Sequence, residues 1–348
     1  MQKRRHSYDL LRIISTFMVM LIHVNAYYFI PLLSQKTELS FTYVIESIFN
    51  IVTRFSVPCF IMISGAFNLQ ESNKDYKKFY SKIGYKIVVP FLMIAISILM
   101  IVEIVTLFRF GYKSCFGTLV SFLTGSFMNW WFMYMIIGLY ILTPLVARFK
   151  EMISPRTFGI VTLVWLFLGF LSQSTTEYGM AYSFGNVFAY LGYYMLGSFI
   201  YDNVKTVKRV GLLWIVIIVL WGVTFWVRYL GVSKYVISAY ASFFSPTIMI
   251  SSICVFVFFT NLHFSHNLMK LSGCTYYMYL FHTPIYQLVL SIIGSEVIVN
   301  EVVTIIIVSI VTFFLSWFCS RGYQLLWNQM GKHWKIRKKW ECLLERVL

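Results

Sequence analysis

Residues 8–29 read Y-D-L-L-R-I-I-S-T-F-M-V-M-L-I-H-V-N-A-Y-Y-F, an apolar stretch of about the length that crosses a bilayer as a helix. It carries three ionisable side chains, Asp9, Arg12 and His23. The apolar core of a cleaved secretory signal does not usually contain both an arginine and a histidine. We therefore interpret this stretch as a retained transmembrane helix.

The rest of the chain repeats this pattern. Nine further apolar stretches follow, separated by polar segments, at 42–67, 87–108, 130–147, 157–173, 183–201, 210–229, 236–260, 273–294 and 300–320. Of the 348 residues, 59% are hydrophobic and only 12% are charged, whereas soluble globular proteins carry about 25% charged residues. This composition excludes a single water-soluble core and a disordered chain. We predict an all-α, polytopic membrane protein of about ten transmembrane helices, with a transmembrane domain over 1–321 and a basic cytoplasmic tail over 322–348.

The net charge of +16 comes mainly from lysines and arginines between the apolar stretches. With a cytoplasmic N-terminus, 22 of these 29 residues fall in inner segments, and the outer segments hold only Lys36, Arg109, Lys113, Arg228 and Lys234. By the positive-inside rule, this bias predicts a multi-pass plasma-membrane protein with both termini in the cytoplasm. The basic surplus then favours contact with anionic inner-leaflet lipids, and nucleic acid is not expected as a partner.

Ionisable side chains inside the predicted spans are informative, because each costs about 2.5–3.5 kcal/mol in hydrocarbon. At about 100° per residue, Arg12 and His23 share one face of the first helix and Asp9 lies within about 40° of His23. A rise of about 1.5 Å per residue places His23 about 16 Å further out than Arg12. On the functional interpretation, Arg12 anchors an anionic ligand and His23 acts as a base. On the structural one, Arg12 pairs with Asp9 and His23 donates to a carbonyl of a neighbouring helix.

Arg54, Glu46 and His282 are the other candidates in later spans. Arg54 lies about 18 Å deep, where it cannot readily reach either surface, and needs a buried polar partner or a ligand. Glu46 lies about 80° round the same helix and is not expected to pair with it directly. His282 precedes Pro284, which leaves a backbone carbonyl that an imidazole can satisfy, so functional and structural interpretations are equally open. The six cysteines include no C-x-x-C pair, and we expect neither a metal site nor a permanently bound cofactor.

Five blocks of the chain carry a resemblance to a known family. They are R-R-H-S-Y-D-L-L-R-I-I-S-T-F-M-V-M-L-I-H-V at 4–24, R-F-S-V-P-C-F-I-M-I-S-G at 54–65, W-W-F-M-Y-M-I-I-G-L-Y-I-L-T-P-L at 130–145, L-G-Y-Y-M-L-G at 191–197 and Y-Y-M-Y-L-F-H-T-P-I at 276–285. In this order they resemble the membrane acyltransferase-3 family, bacterial enzymes that O-acetylate extracytoplasmic sugars and related acceptors. The resemblance spans nearly the whole chain.

The resemblance implies an O-acetyltransferase with cytoplasmic acetyl-CoA as co-substrate and a hydroxyl of an extracytoplasmic or lipid-linked saccharide as acceptor. His23 would act as a general base or through an acetyl-His intermediate. The site residues expected on these grounds are His23 and Arg54 for catalysis, Arg12 and Asp9 for donor binding, and His282 and Glu46 as further candidates. Some family members append an extracytoplasmic hydrolase-like domain. We expect this chain to be the stand-alone form, whose acceptor is met at the membrane or served by a separate extracytoplasmic transfer protein.

Two other classes of protein are open alternatives. An exporter of polysaccharide or lipid-linked sugar would also have about ten helices with buried charges, although transporters often contain an internal repeat and none is visible here. A sensor protein would hold a ligand without transforming it. Release of free CoA from acetyl-CoA that depends on His23 would distinguish an enzyme from both.

Overall fold

The regular structure of the chain is helical. The computed structural model describes residues 6–34, 41–70, 76–110, 115–174, 184–204, 207, 209–230, 242–293 and 300–334. Within these ranges no strand occurs, which confirms the all-α prediction. Lys36, Lys113 and Lys234 of the predicted outer segments, and residues 335–348 of the predicted tail, lie outside the described residues.

The N-terminal part of the chain forms three long helical stretches. Its helices are α1 (His6–Ser34), α2 (Phe41–Val52), α3 (Ser56–Asn68), α4 (Tyr76–Ile83) and α5 (Val89–Phe110). A 3-10 turn joins α2 to α3, and a π-helical turn joins α4 to α5, so each pair runs on as one candidate span. The 3-10 turn, Thr53–Phe55, carries Arg54.

The later helices cover the remaining predicted spans and add two short helices outside them. They are α6 (Cys115–Leu123), α7 (Trp131–Met152), α8 (Pro155–Ser174), α9 (Phe184–Asn203), α10 (Leu212–Leu230), α11 (Pro246–Asn261), α12 (Met269–Ser272), α13 (Thr275–Ile293) and α14 (Glu301–Trp334). The last helix runs beyond the predicted end of its span at residue 320. Its extension is stabilised by Trp327, which is 5% exposed and contacts the ring of Tyr85 with centroids 5.3 Å apart.

Seven helical stretches of the described residues are long and apolar enough to cross a membrane. They are His6–Tyr28, Phe41–Asn68, Tyr76–Phe108, Trp131–Met152, Pro155–Ser172, Leu212–Leu230 and Glu301–Gln329. Their outward side chains are apolar, as Phe108 and Phe318 show with 86% and 73% of their surface exposed. Lipid accommodates such a surface and water does not. The predicted spans at 183–201 and 273–294 correspond to α9 and α13. The predicted span at 236–260 is helical only from Pro246 among its described residues, as α11, and the total of ten remains a prediction.

Helices α3 and α9 pack backbone against backbone. A Cβ atom at Gly65 would clash with the carbonyl oxygen of Tyr194, and one at Gly197 would clash with the carbonyl oxygen of Met62. Small residues allow this approach, which is a common way for helices to associate in membranes. The contact holds α3, and with it the Arg54 turn at its start, in a fixed position.

Candidate active site

His23 of α1 and His282 of α13 lie side by side in the interior. Their ring centroids are 5.1 Å apart and their planes are inclined by 42°. His282 is fully buried, and His23 is half-buried. The structure therefore brings the predicted base into contact with one of the two further candidates.

The backbone of α13 determines the tautomer of His282. Its Nδ1 lies 2.5 Å from the carbonyl oxygen of Tyr279, and its Nε2 lies 3.2 Å from the hydroxyl of Thr283. Because a carbonyl oxygen can only accept, Nδ1 carries the proton. Nε2 then accepts from the Thr283 hydroxyl, and the ring is held neutral in one orientation.

The carbonyl freed by Pro284 has a different partner from the one the sequence suggested. Proline removes the N–H that would bond the carbonyl four residues earlier, which is that of Leu280. The indole Nε1 of Trp130 donates to this oxygen at 3.3 Å. The imidazole of His282 bonds the carbonyl of Tyr279 instead, so the suggested pairing is wrong.

A small cavity adjoins His282. Its lining residues come from α1, α3 and α13 and are Thr16, Val19, Met20, Phe60, Tyr279 and His282. Its volume of about 10 Å³ is close to the space of one water molecule. The ring of His23 contacts the ring of His282, and its functional and structural interpretations both remain predictions.

Arg54 is held by a residue of its own helix. Its Nε and Nη2 atoms donate to Oδ1 of Asn50 at 3.1 and 3.0 Å, and its guanidinium carbon lies 5.4 Å from the centre of the Phe243 ring. Asn50 is thus the polar partner that a deep arginine requires. Sequence analysis missed Asn50 because it is not ionisable, although its spacing of four residues from Arg54 places the two on one helix face.

His23 and the Arg54 guanidinium lie at nearly the same height. The side-chain amide of Asn25 donates to the carbonyl of Glu46 at 3.1 Å, which aligns the antiparallel helices α1 and α2 at this level. His23 is two residues before Asn25, and Asn50 is one turn after Glu46. At about 1.5 Å per residue, the heights of His23 and Asn50 along the helix axes differ by less than one helical turn. His23 and the Arg54 guanidinium, the two predicted catalytic groups, therefore lie in one layer, meaning at about the same height in the bundle.

A second arginine joins this layer. Arg228 donates from Nη1 to the same Oδ1 atom of Asn50 at 2.9 Å. The sequence count places it among the outer segments, at the edge of the stretch 210–229. In the structure it lies in the last turn of α10, half-buried against α2.

Glu46 stands apart from the arginines. It is fully buried, and among the described residues neither of its carboxylate oxygens has a hydrogen-bond partner. As predicted, it does not pair with Arg54, which bonds Asn50. Among the described residues, Glu46 is thus not seen in contact with His23 or His282.

Arg12 and Asp9 lie at the N-terminal end of α1. The guanidinium carbon of Arg12 lies 5.5 Å from the centre of the Phe67 ring. Asp9 is buried and accepts a hydrogen bond from the hydroxyl of Ser272 at 2.6 Å. This bond ties α1 to the short helix that precedes α13. Because α1 is unbroken, Arg12 and His23 remain about 16 Å apart along one helix.

Comparison with known protein families identifies the chain. Residues 5–321 match the acyltransferase-3 family, over a region described as an acyltransferase domain. The match includes every residue of the layer described above. No curated protein and no solved structure matches the chain. The extent of the family match shows that this helical membrane protein belongs to the acyltransferase-3 family.

Proposed function

We propose that this acyltransferase moves an acetyl group from cytoplasmic acetyl-CoA to a hydroxyl of an extracytoplasmic or lipid-linked saccharide. The observation that carries the proposal is the contact between His23 and His282 in the same layer as the Arg54 guanidinium. A base and a fixed cation at the same depth are two of the groups that acyl transfer to a hydroxyl requires. Membership of an acyltransferase family supports the reaction class.

The donor extends along α1 from the cytoplasm. Arg12 binds a phosphate of CoA, since a guanidinium fork matches phosphate geometry. The pantetheine arm follows the helix face between Arg12 and His23.

His23 acts as the general base. It takes the proton of the acceptor hydroxyl, whose oxygen bonds to the thioester carbonyl carbon and generates a tetrahedral oxyanion. Arg54 donates to this oxyanion. Collapse of the intermediate breaks the carbon–sulfur bond, and the departing CoA thiolate recovers the proton from His23. The acetyl ester and free CoA are the products.

His282 positions the base. Its proton is held at Nδ1 by the carbonyl of Tyr279, so the ring offers His23 a neutral and rigid neighbour. The tilted ring contact limits the orientations available to the His23 imidazole. The base is then aimed before substrate arrives, which lowers the entropy lost in reaching the reactive geometry.

The test uses purified protein in proteoliposomes with acetyl-labelled acetyl-CoA and a saccharide extract as acceptor. His23→Ala should reduce acetyl transfer and the linked CoA release by at least about 100-fold, the scale of general-base catalysis. The matched control is His263→Ala, which changes an exposed histidine in the segment after α11. Equal rates in the two variants would overturn the assignment of His23.

Two further outcomes separate the alternatives. If the protein becomes covalently labelled when acceptor is withheld, the reaction proceeds through an acetyl-His intermediate and not by the general-base route. Saccharide movement across sealed vesicles without consumption of acetyl-CoA would instead identify an exporter.

A further inference from the structure

Two arginines converge on a single neutral acceptor. Arg54 and Arg228 donate to the same oxygen, Oδ1 of Asn50, at distances of 2.9–3.1 Å. The bonded nitrogens of the two guanidinium groups are therefore within about 6 Å of each other. In the part of the chain that the structure describes, neither guanidinium pairs with a carboxylate.

Among the described residues, this arrangement leaves the positive charge of two guanidinium groups without a paired anion. A buried cation is ordinarily paired with an anion or with several acceptors. Here one amide oxygen serves two guanidinium groups. Moreover, Nε of Arg228 is buried and has no hydrogen-bond partner among the described residues. The cluster of Asn50, Arg54 and Arg228 thus has donors left over for an anion with several oxygens.

The surroundings of the cluster are aromatic on one side and apolar on the other. The Phe243 ring beneath Arg54 has Trp131 and Tyr190 as neighbours, with centroids 6.3 and 6.4 Å away. Trp226 and Leu230 expose 58% and 64% of their surface on the face of α10 opposite Arg228, so this helix separates the cluster from lipid.

We propose that Asn50, Arg54 and Arg228 form an oxyanion subsite that binds a phosphate group carried by the acceptor, with Arg54 shared between this phosphate and the tetrahedral oxyanion. Two guanidinium forks offer more donors than the two oxygens of a carboxylate can accept, and their double charge matches a phosphate. A lipid-linked phosphate and a free sugar phosphate offer the same oxygens, and the binding experiment distinguishes the two sources. The subsite lies within about one helical turn of the level of His23, so it orients a hydroxyl near that phosphate toward the base. That the bound phosphate belongs to the acetyl acceptor rests on the proposed function.

Binding without acetyl-CoA tests the subsite independently of catalysis. Purified protein in nanodiscs of neutral phosphatidylcholine is titrated with polyprenyl phosphate, and separately with glucose 1-phosphate in solution, while tryptophan fluorescence is monitored. Arg228→Gln removes one guanidinium, and Arg228→Lys keeps the charge but not the fork. Arg209→Gln is the matched control, because Arg209 is exposed just before the opposite end of α10.

We expect Arg228→Gln to weaken binding of polyprenyl phosphate by about 10-fold or more, the effect of losing a charge-assisted hydrogen bond. Arg228→Lys should fall between wild type and Arg228→Gln, and Arg209→Gln should bind as wild type does. If glucose 1-phosphate binds tightly and polyprenyl phosphate does not, the oxyanion subsite stands, but its ligand is a free sugar phosphate and not a lipid-linked one. The proposal is overturned if neither probe binds the wild type, or if monodisperse Arg228→Gln binds as tightly as wild type. Absence of acetyl transfer with normal phosphate binding would instead refute the proposed function.

Discussion

The imidazoles of His23 and His282 are in ring contact, with centroids 5.1 Å apart, although one belongs to α1 and the other to α13. Helix α1 also contacts α2, α3, α11 and α14, so it lies at the centre of the bundle. The hydrogen bond between Asp9 and Ser272 joins α1 to the segment that leads into α13. The site thus depends on packing between the two ends of the chain.

The role of His282 can be separated into a structural and a positioning part. His282→Ala should lower transfer about 10-fold or more and cost about 1–3 kcal/mol of stability, because the Tyr279 carbonyl loses its imidazole partner in a buried place. Asparagine can donate a similar hydrogen bond. His282→Asn should therefore regain most of the stability but not the rate, since it lacks the ring that contacts His23. Turnover and thermal unfolding in detergent measure the two effects, and a fully active His282→Asn would show that the ring contact is dispensable.

Arg12 is expected to act mainly on donor binding. Arg12→Ala should raise the KM for acetyl-CoA while leaving kcat nearly unchanged, because a cation on the phosphates contributes equally to the ground and transition states. Arg12→Lys should lie in between, since it keeps the charge. Initial rates over a range of acetyl-CoA concentrations measure both constants. An unchanged KM in Arg12→Ala would refute donor binding by this residue.

The close contact between α3 and α9 should not tolerate a methyl group. Gly197→Ala places its Cβ against the Met62 carbonyl, and the helices must separate. We expect a loss of about 1–3 kcal/mol or more, seen as a lower Tm in detergent. Gly222→Ala is the matched control, because no atom lies within 4 Å of its added Cβ and alanine favours the helix. Equal Tm values for the two variants would contradict the backbone contact.

The charge distribution predicts sidedness. Lys36 and Lys234 should react with an impermeant amine reagent added to intact cells, whereas Lys332 and Lys335 should be protected, because positive charge is retained in the cytoplasm. Mass spectrometry of the labelled protein gives the reactivity of each lysine. Labelling of Lys332 from outside would refute the predicted topology and the direction of acetyl transfer.

The sequence by itself determined the helical membrane architecture. Hydropathy and the helical repeat are local properties, so they located the spans and placed Arg12 and His23 on one face of α1. The cost of an ionisable group in hydrocarbon singled out Arg54, Glu46 and His282 in the same way. Five ordered blocks also pointed to the acyltransferase-3 family, which the match over residues 5–321 confirms.

Only the tertiary structure decided which groups meet. Sequence showed that Arg54 needs a partner, but not that Asn50 and Arg228 share one oxygen with it. Nor could it show that Trp130 would take the carbonyl of Leu280 and leave His282 against His23. These contacts depend on how distant helices pack. Hydropathy specifies that a buried polar group must be satisfied, whereas the packing of side chains in three dimensions selects the partner.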